Sequence, residues 1–448
     1  MIPEAWRGRE AAVVGLARSG RAAGLLLRRL GNPVYASDVA TSHDLEETAR
    51  LLRGAGCEVQ LGGHDLDRIR GCAVLVLSPG VPPEAPPCRA ALEAGVPVIS
   101  ELDLGARMLP FTKLICVTGS NGKTTTTALI AHLLRAAGLG DSDAAGNIGN
   151  PLCEVAMRDR PPAWLAVECS SFQLHDCPSL APAAGVFTNL SPNHLDRYPT
   201  LEAYYGDKAL LLRNATARSR WIVNGDDEAV VKLVAGAAGV LEEFSLAPGR
   251  AAGRYDRASG RLVLRGAPLV PRAEFPLAGD HNVQNALAAA LALPPDADRT
   301  AIVEGLRSFR PLEHRLEPIR EVGGVLWIND SKSTSVAATV VAVRGMDRPF
   351  VLLLGGRHKG APYTQLRPLL GNARAVVAYG EAGPVVERDL AGAVPVERGG
   401  DFEDVLATAR RLARPGDAVL LSPACSSYDM FDNYEHRGRE FRRLVEAL

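Results

Sequence analysis

The run Val117-Thr118-Gly119-Ser120-Asn121-Gly122-Lys123-Thr124-Thr125 has the residue types and spacing of a phosphate cradle. Gly119 and Gly122 let backbone N–H groups approach oxyanions closely, Lys123 can set a compact charge on the β- and γ-phosphates, and Thr124 can offer a hydroxyl to Mg2+. The apolar run Leu114-Ile115-Cys116-Val117 leads in as a short buried strand, and a helical pattern from Ala128 to Leu134 follows. The glycines therefore fall on a strand-to-helix turn, the context such a loop needs. One position departs: the general template has glycine where this chain has Val117. The competing reading is a tight turn with a surface lysine.

More candidates stand at the ends of later apolar runs. Glu168 closes Trp164-Leu165-Ala166-Val167, and a carboxylate at that edge near a phosphate loop suits Mg2+. Alternatively it caps a helix beginning near Ser170 and Ser171. Gly185-Val186-Phe187-Thr188-Asn189-Leu190 runs into His194 and Asp196, which share that edge, although a lone histidine is usually a satisfied structural group. Lys208 is one of only six lysines (113, 123, 208, 232, 332 and 359) beside 44 arginines. A lysine retained in such a chain points to a need for a compact ammonium, or for an amine that can lose its proton. Lys113 and Lys232 read as chance surface positions; a solvated helix residue is the alternative for Lys208. Asn282 and Asn285, three apart, share one face at the start of an Ala/Leu helix, where they cap it or bond a nucleobase edge. Ala145-Gly146-Asn147-Ile148-Gly149-Asn150-Pro151 is a glycine-rich loop with amide side chains.

These residues need sheets to hold them. With 448 residues, several domains are expected. Residues 11 to about 100 alternate strand and helix in a Rossmann-like pattern, with Gly15-Leu16-Ala17-Arg18-Ser19-Gly20 after the first strand and Asp38 ending the second. Ala17 stands where a dinucleotide fingerprint has its central glycine, so close approach of a pyrophosphate is hindered; plain strand–helix packing is the alternative. From about Pro311 three strands end in polar clusters at Asn329-Asp330-Ser331-Lys332, Gly355-Gly356-Arg357-His358-Lys359 and Ser422-Pro423-Ala424-Cys425-Ser426-Ser427, a second doubly wound pattern. The expectation is an α/β chain of three domains: Rossmann-like 1–103, a central P-loop ATPase domain 104–311 with a mainly parallel sheet and a small antiparallel addition at 245–275, and Rossmann-like 312–448.

Composition excludes several classes. A net charge of −1 argues against a nucleic-acid partner. No signal-peptide pattern and no apolar run of membrane-spanning length is visible, so membrane insertion is not expected. Eight cysteines without a C-x-x-C pair read as reduced thiols of a cytoplasmic protein.

Together the motifs resemble the Mur ligases, ATP-dependent amide-forming enzymes of peptidoglycan precursor synthesis, over nearly the whole chain. Thr118 to Thr125 looks like that family's short ATP loop, which accounts for Val117. Glu168-Cys169-Ser170-Ser171-Phe172-Gln173-Leu174 and Leu421-Ser422-Pro423-Ala424-Cys425-Ser426-Ser427 are similar to its D-glutamate-adding branch. The resemblance implies that Gly119, Ser120, Asn121, Gly122, Lys123, Thr124, Thr125, Asn282, Asn285, Arg315, Asp330 and Lys332 surround ATP. It implies two Mg2+ positions served by Thr124, Glu168, His194 and a carbamylated Lys208, with Lys123, Glu168, His194 and Lys208 catalytic. It places the UDP-sugar substrate, UDP-N-acetylmuramoyl-L-alanine, against Leu16, Ala17, Ser37, Asp38, Val39, Gly80, Asn147 and His194. It places D-glutamate against Thr334, Lys359, Ser427 and Tyr434, and a monomer is expected. Carbamylation fits the lysine census, since a neutral amine must attack CO2 and a guanidinium cannot. The rival readings are a sibling or folylpolyglutamate-type ligase, an NAD-linked oxidoreductase using the first domain, and a nucleotide-binding scaffold without catalysis. Ala17 and the lack of a hydride-transfer dyad speak against the second, and the set Glu168, His194 and Lys208 against the third.

Overall fold

A computed structural model describes residues 2–41, 43–140, 144–192, 197–277, 279–310, 313–346 and 348–448. The apolar runs become central strands buried on both faces, as parallel strands covered by helices must be. Among the described residues they form three sheets, of five, nine and six strands. The chain is thus α/β with mainly parallel sheets in three domains, as its pattern predicts.

The first sheet is wholly parallel, in the order Glu58–Leu61, Val34–Asp38, Ala11–Val14, Val74–Leu77, Val98–Ser100. Strand order reverses between Ala11–Val14 and Val74–Leu77, so the loops after Val14 and Leu77 diverge there and leave a crevice, the usual ligand position of an open α/β sheet. Gly15 occupies that divergence at φ +85°, and a Cβ on it would lie 2.9 Å from the Ser78 Cβ. The helix Arg18–Arg29 starts immediately after, with Ala17 as its N-cap residue.

In the second sheet, Lys113–Thr118 is central, flanked by Trp164–Glu168 and Ala184–Phe187. Ala145–Gly146 pairs outside Trp164–Glu168, and Arg220–Asn224 with Val240–Ser245 extends the other side in parallel. The short strands Gly253–Asp256, Arg261–Leu264 and Ala267–Pro271 add an antiparallel edge, the addition expected within 245–275. In the third sheet Glu317–Val322 runs antiparallel, against Val325–Asn329; then come Ala418–Leu421, Phe350–Gly355, Ala373–Tyr379 and Val396–Arg398 in parallel.

By contacts the chain forms two compact units, 1–275 with 281–309, and 276–280 with 310–448. The first unit contains two sheets. They are joined through the helix Glu101–Arg107, which continues across position 103/104 and packs against the helix Leu152–Ala156. Gly105 permits that approach, because a Cβ there would lie 2.7 Å from the Leu152 carbonyl carbon. Position 311/312 falls outside the described residues. All eight cysteines are buried and free. Among the described residues no helix is long and apolar enough to cross a membrane.

Candidate functional site

The loop after Lys113–Thr118 owes its shape to two left-handed glycines. Gly119 has φ +141°, and a Cβ on it would lie 2.0 Å from Thr188 Oγ1; Gly122 has φ +79° and is the N-cap residue of the helix Lys123–Ala136. The loop is fastened from outside. Ser120 N–H donates to the Asn189 carbonyl at 2.8 Å, Asn121 N–H to Asn189 Oδ1 at 2.9 Å, and Thr188 Oγ1 to the Asn121 carbonyl at 2.6 Å. Lys123 Nζ curls back onto the carbonyls of Gly119 (3.0 Å) and Ser120 (2.9 Å), which places its charge over the cradle. Thr124, in the helix's first turn, is buried, and Thr125 follows it there.

Lys208 comes from the helix Leu201–Ala209 and is only 1% exposed. Its Nζ donates to the Gly119 carbonyl at 2.8 Å and lies 4.4 Å from the centroid of the Tyr204 ring. Burial, and then the neighbouring Lys123 charge, pushes its basicity well below that of an ordinary lysine, against a smaller opposing pull from Glu168 and Asp207. The side chain is thus no solvated helix lysine. A buried amine held towards its neutral form is a nucleophile.

Glu168 ends its strand opposite Val117. Asn147 Nδ2 donates to its Oε1 at 2.8 Å, while the buried Oε2 has no hydrogen-bond partner among the described residues. The capping alternative fails, because Ser170 caps the helix Ser171–His175 in a capping box with Gln173. A buried, half-satisfied carboxylate on the strand next to the one that leads into the phosphate loop is a hard-oxygen donor of the kind that fits Mg2+. His194 and Asp196 lie outside the described residues. Among the described residues no group of three or more His, Cys, Asp and Glu side chains is placed to hold a metal.

Asn285 reaches the loop from the helix Asp280–Ala292: its Oδ1 accepts from Thr126 Oγ1 at 3.1 Å, its Nδ2 donates to Asn282 Oδ1 at 3.1 Å, and a Cβ on Gly122 would sit 2.6 Å from it. Asn285 therefore faces the phosphate loop, with Asn282 joined to it.

The first sheet's candidates gather at its switch point. Asp38 Oδ2 accepts from Leu16 N–H at 2.7 Å and its Oδ1 from Ala40 N–H at 2.9 Å, so this acid ties the two loops beside Ala17 together. Ser37 is buried, with His64 Nδ1 2.9 Å from its Oγ, whereas Val39 and Gly80 are exposed. Arg18 Nη2 donates to the Gly149 carbonyl at 2.6 Å, linking this edge to the loop that carries Asn147.

The second unit gathers its own set at the ends of Val325–Asn329, Ala418–Leu421 and Phe350–Gly355, three neighbours in one sheet. Burial pushes Asp330 up to about 6, although its Oδ2 accepts from Ser333 (2.5 Å) and Ser422 (2.8 Å). Arg315 lies between His314 and Leu316, two non-glycine residues at φ +64° and +43°, a strained stretch of the kind that marks functional loops. Lys332 Nζ is 5.3 Å from the Tyr434 ring, and Thr334 N–H donates to the Lys332 carbonyl at 2.8 Å. Ser427 is buried, and Lys359 belongs to the facing loop, whose Arg357 N–H donates to the Ser426 carbonyl at 2.8 Å. The fully buried Arg437 pins the loops after Val325–Asn329 and Ala418–Leu421, bonding Ser331 Oγ (2.9 Å) and the Ser331 (2.8 Å) and Cys425 (3.3 Å) carbonyls.

Sequence reasoning passed over Tyr204, Thr188, Asn189 and Arg437. Tyr204 carried a signal, since it lies one helical turn before Lys208. The other three act through backbone contacts, and nothing in their spacing announces them.

Residues 117–293 match the Mur ligase middle domain, and residues 314–425 match the Mur ligase, glutamate ligase domain. A UDP-N-acetylmuramoylalanine--D-glutamate ligase of Salinibacter ruber is 42% identical, with 100% of both chains covered. A protein of the same description from Acidobacterium capsulatum is 39% identical over 98% of this chain and 97% of that one. Among solved structures, a UDP-N-acetylmuramate-alanine ligase from Thermotoga maritima aligns with a TM-score of 0.62 at 19% identity, covering 98% of this chain and 99% of that one. A pseudomurein peptide ligase type C from Methanothermus fervidus gives 0.61 at 18%, covering 98% and 99%. At such identities the structural likeness speaks for the fold alone.

Proposed function

Since the chain belongs to the Mur ligase family, we propose that it is the ligase that joins D-glutamate to UDP-N-acetylmuramoyl-L-alanine, consuming ATP. The observation that carries this is the buried Lys208 amine on the Gly119 carbonyl, with the half-satisfied Glu168 carboxylate in the same phosphate-loop site. The curated relatives' shared name supplies the substrates.

A carboxylate is a poor acyl donor, so the alanyl carboxylate must first take the γ-phosphoryl group to become an acyl phosphate, releasing ADP; the amine of D-glutamate then attacks the acyl carbon, and phosphate leaves as the amide forms and the amine loses its proton. Lys123 and the loop N–H groups neutralise charge spreading over the γ-phosphoryl group, and positioning does most of the remaining work. Mg2+, held by Thr124, Glu168, His194 and carbamylated Lys208 at two positions, supplies further charge neutralisation when bound. Asn282, Asn285, Arg315, Asp330 and Lys332 hold the nucleotide. Leu16, Ala17, Ser37, Asp38, Val39, Gly80 and Asn147 hold the UDP-sugar, and Thr334, Lys359, Ser427 and Tyr434 hold D-glutamate. The depressed basicity of Lys208 favours the neutral amine that carbamylation needs. The domains are 1–103, 104–311 and 312–448, and the working form is a cytoplasmic monomer.

The test is mass-spectrometric product identification after incubation with UDP-N-acetylmuramoyl-L-alanine, D-glutamate and MgATP. The expected product has gained one glutamyl residue, with one phosphate released per amide. Intact ATP, or release of phosphate without the new amide, would overturn the assignment. An amino-acid panel scored by phosphate release separates this reading from a sibling ligase.

A further inference from the structure

Behind the Lys208 helix lies a cavity of about 490 Å³ that none of the roles above uses. It opens between the first sheet's loop after Leu77 and two elements of the central domain, the helices Ser171–His175 and Leu201–Ala209. The volume is that of a small-molecule site.

The helix Leu201–Ala209 is two-faced here. Ala203, Gly206, Asp207 and, just past its end, Leu210 line the cavity, while Tyr204 and Lys208 point the other way, to Ser120 Oγ (3.4 Å) and the Gly119 carbonyl (2.8 Å). These two sets follow the helical period of three and four on separate faces. The helix Ser171–His175 is placed likewise: it begins three residues after Glu168 and turns Phe172 and His175 to the cavity. An occupant would therefore press on the helix that carries Lys208 and on the helix that follows Glu168, from the side away from the phosphates.

The lining says what would fit. Pro79, Val81, Leu77 and Leu210 give carbon walls. The Phe172 and Tyr198 rings stack at 5.4 Å with planes 14° apart, and Arg197 lies 4.1 Å from the Phe172 centroid. Most polar groups are spoken for: Asp207 accepts from Tyr198 OH at 2.8 Å and meets His175 Nδ1 at 2.9 Å. Half-buried Asp176 is pushed up to about 6 by desolvation, so it holds a proton more readily than an ordinary carboxyl. Glu84 is exposed at the rim. The exception is Arg197 Nη2, a buried donor with no hydrogen-bond partner among the described residues. Buried donors are ordinarily satisfied, and a guanidinium fork matches a carboxylate.

We propose that this cavity is a regulatory site for a flat, mainly apolar ring bearing one carboxylate, and that its occupancy is felt at Lys208 through the shared helix. The test uses 2-naphthoate as the probe on the full chain, read by isothermal titration and, separately, by initial rates. Gly206 suits the control variant, because a Cβ on it meets nothing within 4 Å, so Gly206→Leu projects into the cavity from an unstrained helical position. Saturable binding by the wild type, weakened at least about tenfold in Gly206→Leu and in Arg197→Gln, is the expected result. Arg197→Gln decides the matter should Gly206→Leu fail to fold, as judged by its thermal transition. In rate assays the probe should lower kcat without competing with the UDP-sugar. The proposal is overturned if binding is not saturable, if it survives both substitutions, or if the UDP-sugar displaces the probe, which would return the cavity to the substrate's own site. The binding arm requires no turnover, so it stands or falls independently of the reaction proposed above.

Discussion

At the scale of single residues, Lys208 is the position where stability and chemistry pull apart. Its amine is buried and held below its ordinary value near 10.5. Below its folded pKa both states carry the proton, and the native state bears the full penalty of burying the charge. Between that pKa and 10.5 the unfolded chain binds a proton that the native chain does not, so stability rises with pH through that window. Lys208→Met keeps the shape and removes the charge. It is expected to raise the melting temperature at neutral pH, by about 1–3 kcal/mol of stability, with the gain shrinking as pH climbs towards 10. The same variant should lose about 100-fold or more in kcat. Thermal scans in bicarbonate-free buffer paired with phosphate-release assays check both. A variant that kept full activity with bicarbonate withheld would end the carbamate proposal. The lysine census singled out Lys208, but its burial could not be seen in the chain, because a nine-residue helix with a polar face reads as solvated until its packing partner is known.

Elements show a different division. Gly122 was legible as a turn residue, and the structure adds a second demand: its left-handed φ of +79° coincides with the seat of the Asn285 amide 2.6 Å from a would-be Cβ. Gly122→Ala is therefore expected to destabilise by more than the roughly 1 kcal/mol of a Gly-to-Ala strain alone, and to weaken ATP binding by calorimetry. The helix after Glu168 depends on its cap, so Ser170→Ala should lower stability by about 1 kcal/mol in denaturant titration. Glu101 joins the helix Glu101–Arg107 to the helix Leu152–Ala156, its Oε1 accepting the Cys153 N–H at 2.6 Å. Burial pushes this carboxyl from 4.5 up to about 7. Between those values the native chain keeps a proton that the unfolded chain releases, so stability falls as pH rises from 4.5 to about 7, by on the order of 2–3 kcal/mol. Melting temperatures of wild type and Glu101→Gln across pH 4.5 to 8 should diverge accordingly, with the wild type losing more. No pattern in Ser100-Glu101-Leu102 hinted at this; a single acid beside a strand end reads as surface.

For the whole molecule, the proposed substrates are divided between the two units: nucleotide phosphates and UDP-sugar in the first, D-glutamate in the second. Turnover then needs a state in which the reacting groups meet, and closure is the expected way to reach it. Small-angle scattering should show a smaller radius of gyration with ATP and UDP-N-acetylmuramoyl-L-alanine than without; superimposable curves would count against closure. The chain's own order carried the α/β class and the edge of each sheet at which polar residues cluster, because alternating apolar runs and helical stretches are local properties and parallel strands put their C-terminal loops on one side. The phosphate loop was readable for the same reason: its glycines, lysine and hydroxyls act within nine consecutive positions. What folding alone settled is long-range and electrostatic. It brought Asn285 to Thr126 across 159 residues and buried Lys208 against Gly119 across 89. It left one Glu168 oxygen without a hydrogen-bond partner among the described residues, and turned the far face of the Lys208 helix to a cavity. Proximity and desolvation of this kind depend on which surfaces meet, and a linear order of residues holds neither until the chain has packed.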